Sequence, residues 1–145
     1  MRDGNHANSI LKGYFKEQAY PQLFAKGGNV MQIDATMGMT AAISEMLVQS
    51  NLDVIDILPA LPDDWEKGEF KGVCTAGAFE LDIKWVAKKV TEVKILSKQG
   101  EHCHLFTGNK ITVEHGGKKV KVTVLNDGSY KFQTQKNETY IIRPI

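Results

Sequence analysis

The apolar residues of this chain change period near residue 51. Before it they recur as on a helix. Met39, Ala42, Ile43, Met46 and Leu47 fall at i, i+3, i+4, i+7 and i+8. This is one apolar stripe, and it predicts a helix over Ala41–Ser50, led in by Met39, with Ser44, Glu45, Gln49 and Ser50 off the stripe. An earlier helix is predicted from about Asn5 to Glu17, with Ile10, Leu11, Tyr14 and Phe15 on its buried side. Gly13 weakens that helix by ~1 kcal/mol relative to alanine. Between the two helices, AYPQLFAKGGNVMQID holds Pro21 and Gly27–Gly28 and reads as a loop.

Beyond residue 51 the period becomes two. Phe79, Leu81, Ile83 and Trp85 alternate with Glu80, Asp82 and Lys84, as in a strand with one wet face. Lys88–Lys89 can turn the chain into a strand holding Val93 and Ile95. Ile111 and Val113, then Val120, Val122 and Val124, then Tyr130 and Phe132, then Tyr140 and Ile142 repeat the alternation. Turn signals separate the runs at Gly108–Asn109, Gly116–Gly117, Asp127–Gly128 and Lys136–Asn137. The expected fold is therefore mainly β, an antiparallel β-sandwich preceded by two α-helices. The expected division is 1–50 helical and 51–145 sandwich. VIDILPALPDDW joins the halves, its apolar run bounded by Pro59 and Pro62, which predicts a short strand and then an extended connection. Two helices bury little surface on their own, so they need the sandwich or a further partner.

Composition narrows the function classes. At 145 residues, 42% hydrophobic and 24% charged, the chain can build one ordinary core. A net charge of +1 provides no long-range field for nucleic acid or an anionic membrane. No apolar run approaches the ~18–20 residues of a membrane span. MRDGNHANSI lacks the apolar core of a signal peptide, which bears on export only for a chain that begins there. No Walker loop, GxGxxG, GxSxG or HExxH is present, so no cofactor is expected. NET at Asn137 is a formal glycosylation acceptor.

Four groups of residues could carry chemistry. Asp34 precedes the second helix, where a carboxylate can cap the helix or serve as a catalytic or polarising group on a loop. Glycosidic hydrolysis usually needs two groups flanking the bond. The candidate second acids, Asp53, Asp56, Asp63 and Asp64, lie in or beside the link, and nothing in the pattern sets them opposite Asp34. His102 and His104 in EHCHLF would share one face of a strand, able to share a metal but without a third ligand nearby; no metal is expected. Trp65 and Trp85 are either a sugar-stacking platform or core. Cys74 and Cys103 fit neither a disulfide framework nor a close CxxC zinc site; they read as buried free thiols, with a single bridge the alternative.

QIDATMGMTAAISEMLVQS, followed by DILPALPDDWEKGEFKGVCTAGAFELDIKW, resembles the C-terminal end of glycoside hydrolase family 95. Those enzymes are inverting α-L-fucosidases, some acting on α-L-galactosides. In the family the chain leaves an (α/α)6 catalytic barrel through a QIDGNFG-like loop and a TAAIAEML-like helix. An LLPALP-like segment, a Trp, a KGL-like turn and a GGFEVD-like strand then open a C-terminal β domain. Here the matching pieces are Gln32-Ile33-Asp34, Thr40-Ala41-Ala42-Ile43 with Glu45-Met46-Leu47, Leu58-Pro59-Ala60-Leu61-Pro62, Trp65, Lys71-Gly72-Val73 and Gly77-Ala78-Phe79-Glu80-Leu81-Asp82. RDGNHANSILKGYF is similar to a barrel helix of the LGDGERAYELL type. The resemblance runs from near residue 2 to about Trp85.

The resemblance implies that residues 1–50 are the last helices of the barrel and that the sandwich is its accessory domain. It implies that Asp34 polarises an asparagine upstream of this chain, which helps activate the attacking water, while an upstream glutamate is the general acid. Gln32 and Thr36 become candidate substrate contacts. Ala35-Thr36-Met37 replaces the family's Gly-Asn-Phe, which changes what this segment offers a sugar. The implied partners are the upstream barrel of the same parent chain and a fucosylated or galactosylated glycan, with neither nucleic acid nor membrane. Self-association through the helix stripes is a further expectation, as is periplasmic or secreted location. The chain by itself is expected to be inactive. The alternative is a stand-alone carbohydrate-binding or protein-interaction β-sandwich module.

Overall fold

The computed structural model describes residues 2–50 and 53–145. Helix α1 spans Gly4–Gln18, and the Asp3 side chain caps it by accepting from the His6 backbone N–H at 2.9 Å. The interval expected as loop holds an Ala19–Ala25 bridge and a hairpin of β1 (Lys26–Gly27) and β2 (Val30–Met31). Helix α2 spans Ile33–Leu47. It begins upstream of the expected Ala41, because Ala35 and Met37 are good helix formers and residues 33–37 hold no glycine. It ends before Ser50, because Val48–Gln49 leave it as strand β3 and pair with β4 (Ile55–Ile57). The expected stripe survives in part. Met46 and Leu47 are buried and Met39 and Ile43 half-buried, whereas Ala42 is exposed. On α1, Leu11 is buried but Ile10 is 59% exposed, against expectation.

The rest of the chain is a sandwich of strands β5 (Gly68–Thr75), β6 (Phe79–Val86), β7 (Lys89–Ser97), β8 (His102–Phe106), β9 (Ile111–His115), β10 (Lys118–Lys119), β11 (Thr123–Val124), β12 (Tyr130–Gln133) and β13 (Glu138–Pro144). One sheet has the order β10-β9-β13-β7-β6-β5, the other β11-β12-β8-β4-β3. All pairs are antiparallel except β4–β8. Leu81, Ile83, Val93, Ile95 and Ile142 of the first sheet meet Ile57, Cys103, Leu105 and Phe132 of the second in one apolar core. The turn before β7 is Ala87–Lys88, both at positive φ, with Lys89 already in the strand. Lys71–Gly72 is no turn but an irregularity within β5, where Gly72 (φ 69°) donates its N–H to Asp82 Oδ1 at 3.0 Å. The Val120–Val124 alternation is no single strand. β10 belongs to one sheet and β11 to the other, so the chain crosses between them there, leaving Val120 and Val122 against the core and Val124 63% exposed.

Helix α1 is fastened to the sandwich side by one polar face. Arg2 pairs with Asp56 of β4 at 2.7 Å. Asn5 bonds the Asp63 side chain at 2.9 Å, and Asn8 and Lys12 both reach Asp64. Gly4 rests on the connection itself, where a Cβ would come 2.4 Å from the Ala60 carbonyl oxygen. A small apolar cluster of Leu11, Met46 and Ala60, with Phe15, Met39, Ile43 and Trp65 against it, completes the contact. Residues 58–65, read from sequence as a mere link, are thus the interface. The expected boundary at residue 51 lies outside the described residues.

Candidate functional site

Asp34 is the second residue of α2, after the N-cap Gln32, whose backbone is extended (φ −113°, ψ 108°) and whose side chain makes no capping bond. A carboxylate there is favoured by the positive helix end. Its side chain is exposed, and no hydrogen bond or ion pair engages it among the described residues. It sits in helix rather than on the loop expected from sequence, and it does not cap.

The hairpin holds this turn in place. The Ala25 N–H donates to Thr36 Oγ1 at 2.9 Å, and that hydroxyl donates to the Gln32 carbonyl at 3.0 Å. The Gln32 N–H returns a bond to the Ala25 carbonyl at 2.9 Å, and Ala25 is buried. The Thr36 hydroxyl proton is therefore committed to the backbone of the turn. The Gln32 side chain lies over Gly27, where a Cβ would approach its Cδ to 2.2 Å. Asp34, by contrast, projects from a fixed turn with its oxygens uncommitted.

The surface beside it is apolar. Ile33 and Met37, one turn apart on α2, are 57% and 67% exposed. Leu23, Phe24, Val30 and Met31 of the preceding segment are exposed as well. Asp34, Gly38 and Ala41 recur at i, i+4 and i+7 on that side, small positions that allow another element to come close. Leu23 and Phe24 lie along the side of α2 that carries Thr36, Met39, Thr40 and Ile43, and exposed apolar side chains in this number mark faces built to be covered. None of Asp53, Asp56, Asp63 or Asp64 is brought to Asp34 as a second acid. Asp56 pairs with Arg2, Asp63 with Lys88 and Asn5, and Asp64 with Lys12 and Asn8. These bonds hold the Asp63 and Asp64 carboxyls below the usual range.

The remaining candidates resolve by burial. Trp85 is 5% exposed and donates Nε1–H to the Trp65 carbonyl at 2.8 Å; both rings pack on apolar clusters and form no platform. Cys74 is exposed on β5 while Cys103 is buried on β8, so the two are free and only Cys103 is core. Burial pushes the Cys103 thiol up to about 12. His102 and His104 do share the outer face of β8, since Cys103 and Leu105 take the inner one. Among the described residues no cluster of three His, Cys, Asp or Glu could hold a metal.

Sequence reasoning missed the tie between Asp127, Ser129 and His104. The Ser129 hydroxyl donates to Asp127 Oδ1 at 2.5 Å, and His104 Nε2 lies 2.7 Å from the same Ser129 Oγ. The bonds from Ser129 hold the Asp127 carboxyl low. It also missed the α1 clamp, although Arg2, Asn5, Asn8 and Lys12 carry its signal as polar residues at helical spacing.

Comparison with known proteins follows the same outline. The model of the glycoside hydrolase family 95 C-terminal domain matches residues 49–142. Alpha-L-fucosidase 2 of Arabidopsis thaliana is 42% identical over 69 residues, which are 47% of this chain and 8% of that protein. The matched part is thus a small fraction of that relative's length.

Proposed function

The chain belongs to glycoside hydrolase family 95 through its C-terminal domain, and from that premise we propose that it is the C-terminal part of an inverting glycosidase acting on α-L-fucosides or α-L-galactosides. Residues 1–50 are the end of its helical barrel and 51–145 its accessory domain. The set of exposed apolar side chains on α2 and the segment before it, Ile33 and Met37 beside Asp34 and Leu23, Phe24, Val30 and Met31 upstream, is the observation that carries this reading. The rest of the barrel covers it.

Inversion needs an acid on one side of the glycosidic bond and an activated water on the other, with ~6.5–9.5 Å between the two groups. Asp34 works on the water side. Its carboxylate polarises a neighbouring amide that orients the water, and the fixed turn under it keeps the position constant. The acid comes from the upstream barrel. One carboxylate cannot supply both roles, so the chain alone turns nothing over. The test is hydrolysis of 4-nitrophenyl α-L-fucoside by the chain alone: no release above buffer is expected, and release that disappears in Asp34→Ala would overturn the proposal.

A further inference from the structure

Gln32 and Thr36 stand two residues to either side of Asp34. Two residues are about 200° of helical turn, so Thr36 lies on the face of α2 opposite Asp34. That face looks onto a crevice shared with Phe15, Phe24, Ala25, Met39 and Ile43, an apolar setting in which a hydrogen bond is strengthened.

Both flanking residues are tied to Ala25, which is 1% exposed. The Gln32 N–H donates to the Ala25 carbonyl at 2.9 Å, and the Ala25 N–H donates to Thr36 Oγ1 at 2.9 Å. Thr36 Oγ1 donates in turn to the Gln32 carbonyl at 3.0 Å, which closes a ring of bonds at the first turn of α2. Ala25 is itself held by its bridge to Ala19, and the neighbouring Phe24 carbonyl accepts from the Tyr20 N–H at 2.8 Å. The ring passes through the Thr36 hydroxyl, so only a side chain that accepts and donates at once can close it. Valine has the shape of threonine but neither function, and it would leave the buried Ala25 N–H unpaired.

The same accounting takes Thr36 out of the role of sugar contact that the resemblance implied. Its proton goes to Gln32, it accepts from Ala25, and it faces away from Asp34.

We infer that Thr36 is a positioning residue for the turnover centre, its hydroxyl fastening the 19–31 segment to the back of the turn that carries Asp34. The inference rests on the reading of Asp34 as the carboxylate on the water side. A displacement of about 1 Å at such a group costs on the order of 10²-fold in rate.

Two readouts test it. In the chain itself, hydrogen exchange at the Ala25 amide should be slow, should stay slow in Thr36→Ser, and should quicken about tenfold or more in Thr36→Val. The second readout is hydrolysis of 4-nitrophenyl α-L-fucoside by a protein carrying a complete barrel upstream of this chain. There Thr36→Val should lose ~10–100-fold in kcat with KM within about twofold, and Thr36→Ser should recover most of the loss. In an Asp34→Asn background Thr36→Val should cost no further kcat, because it acts through Asp34. Assays below the melting transition of each variant keep loss of fold out of kcat.

A raised KM at unchanged kcat would make Thr36 a sugar contact and overturn the assignment. So would an unchanged kcat, a full further loss in the Asp34→Asn background, or fast exchange at Ala25 in the unaltered chain. A silent Thr36→Val beside an inactive Asp34→Asn refutes this assignment alone. No hydrolysis by the barrel-bearing parent, or an Asp34→Asn variant as active as that parent, refutes the glycosidase reading and the assignment with it.

Discussion

Arg2 and Asp56, 54 positions apart, meet through Nη2 and Oδ2 at 2.7 Å, and the same guanidinium lies 5.1 Å from the centre of the Phe106 ring. The contact ties the start of α1 to the parallel pair of the second sheet. Burial raises the Asp56 carboxyl above its ordinary value, and Arg2 offsets this only in part. A raised folded value means that Asp56 favours the folded state when protonated, at low pH, and that this advantage is lost as pH rises through the folded value. Arg2→Ala removes the compensation. It should cost about 1 kcal/mol at pH 7, the modest end because Arg2 is 63% exposed, and progressively less as pH falls and Asp56 protonates. Urea midpoints at pH 7 and pH 4 check this. An equal loss at both would show that the ion pair is irrelevant.

Two glycines of the same helix should respond with opposite signs. A Cβ on Gly4 meets the Ala60 carbonyl oxygen at 2.4 Å, a backbone atom that cannot step aside, whereas a Cβ on Gly13 meets nothing within 4 Å. Gly4→Ala should destabilise by ~1–3 kcal/mol through displacement of α1. Gly13→Ala should stabilise by ~0.5–1 kcal/mol through helix propensity alone. Thermal unfolding of the two variants decides it, and a shared sign would mean that α1 does not rest on residues 60–61.

The thiols give a two-step prediction. With Cys103 buried and its ionisation pushed up to about 12, only Cys74 should react with a water-soluble disulfide reagent at pH 8 in the native protein. The second equivalent should react only in denaturant. Two fast equivalents in the native state would contradict the packing of β8.

How far the fold was legible depended on how each strand is wetted. β6 and β7 show through because one face is buried and the other wet. β5 was missed as a strand because neither of its faces is fully buried and Gly72 breaks its register. The Val120–Val124 alternation misled because period two survives a crossing between sheets while pairing does not. On α1, Ile10 was assigned inward by hydrophobicity, but Gly4, Asn8 and Leu11 set the facing side. The QID motif singled out Asp34, but not that it lies within α2 and not on a loop. The Asp127–Ser129–His104 tie was not, because only the β8–β12 pairing brings residue 104 beside residue 129.

The exposed surface around Asp34 predicts its own behaviour. If Ile33 and Met37 await a covering element, the isolated chain should self-associate or bind a hydrophobic dye, and Ile33→Lys/Met37→Glu should reduce both without lowering the melting temperature. Sedimentation velocity and dye fluorescence measure this. Unchanged association in the double variant would place the sticky surface elsewhere.

The most direct measurement is steady-state hydrolysis of 4-nitrophenyl α-L-fucoside by a protein carrying a complete barrel upstream of this chain, compared with its Asp34→Asn variant. The account predicts a loss of ~10²–10⁴ in kcat with the melting temperature nearly unchanged, since Asp34 supports the turn only through the helix end. Activity within a factor of a few of the parent would contradict it and leave Asp34 as a surface carboxylate.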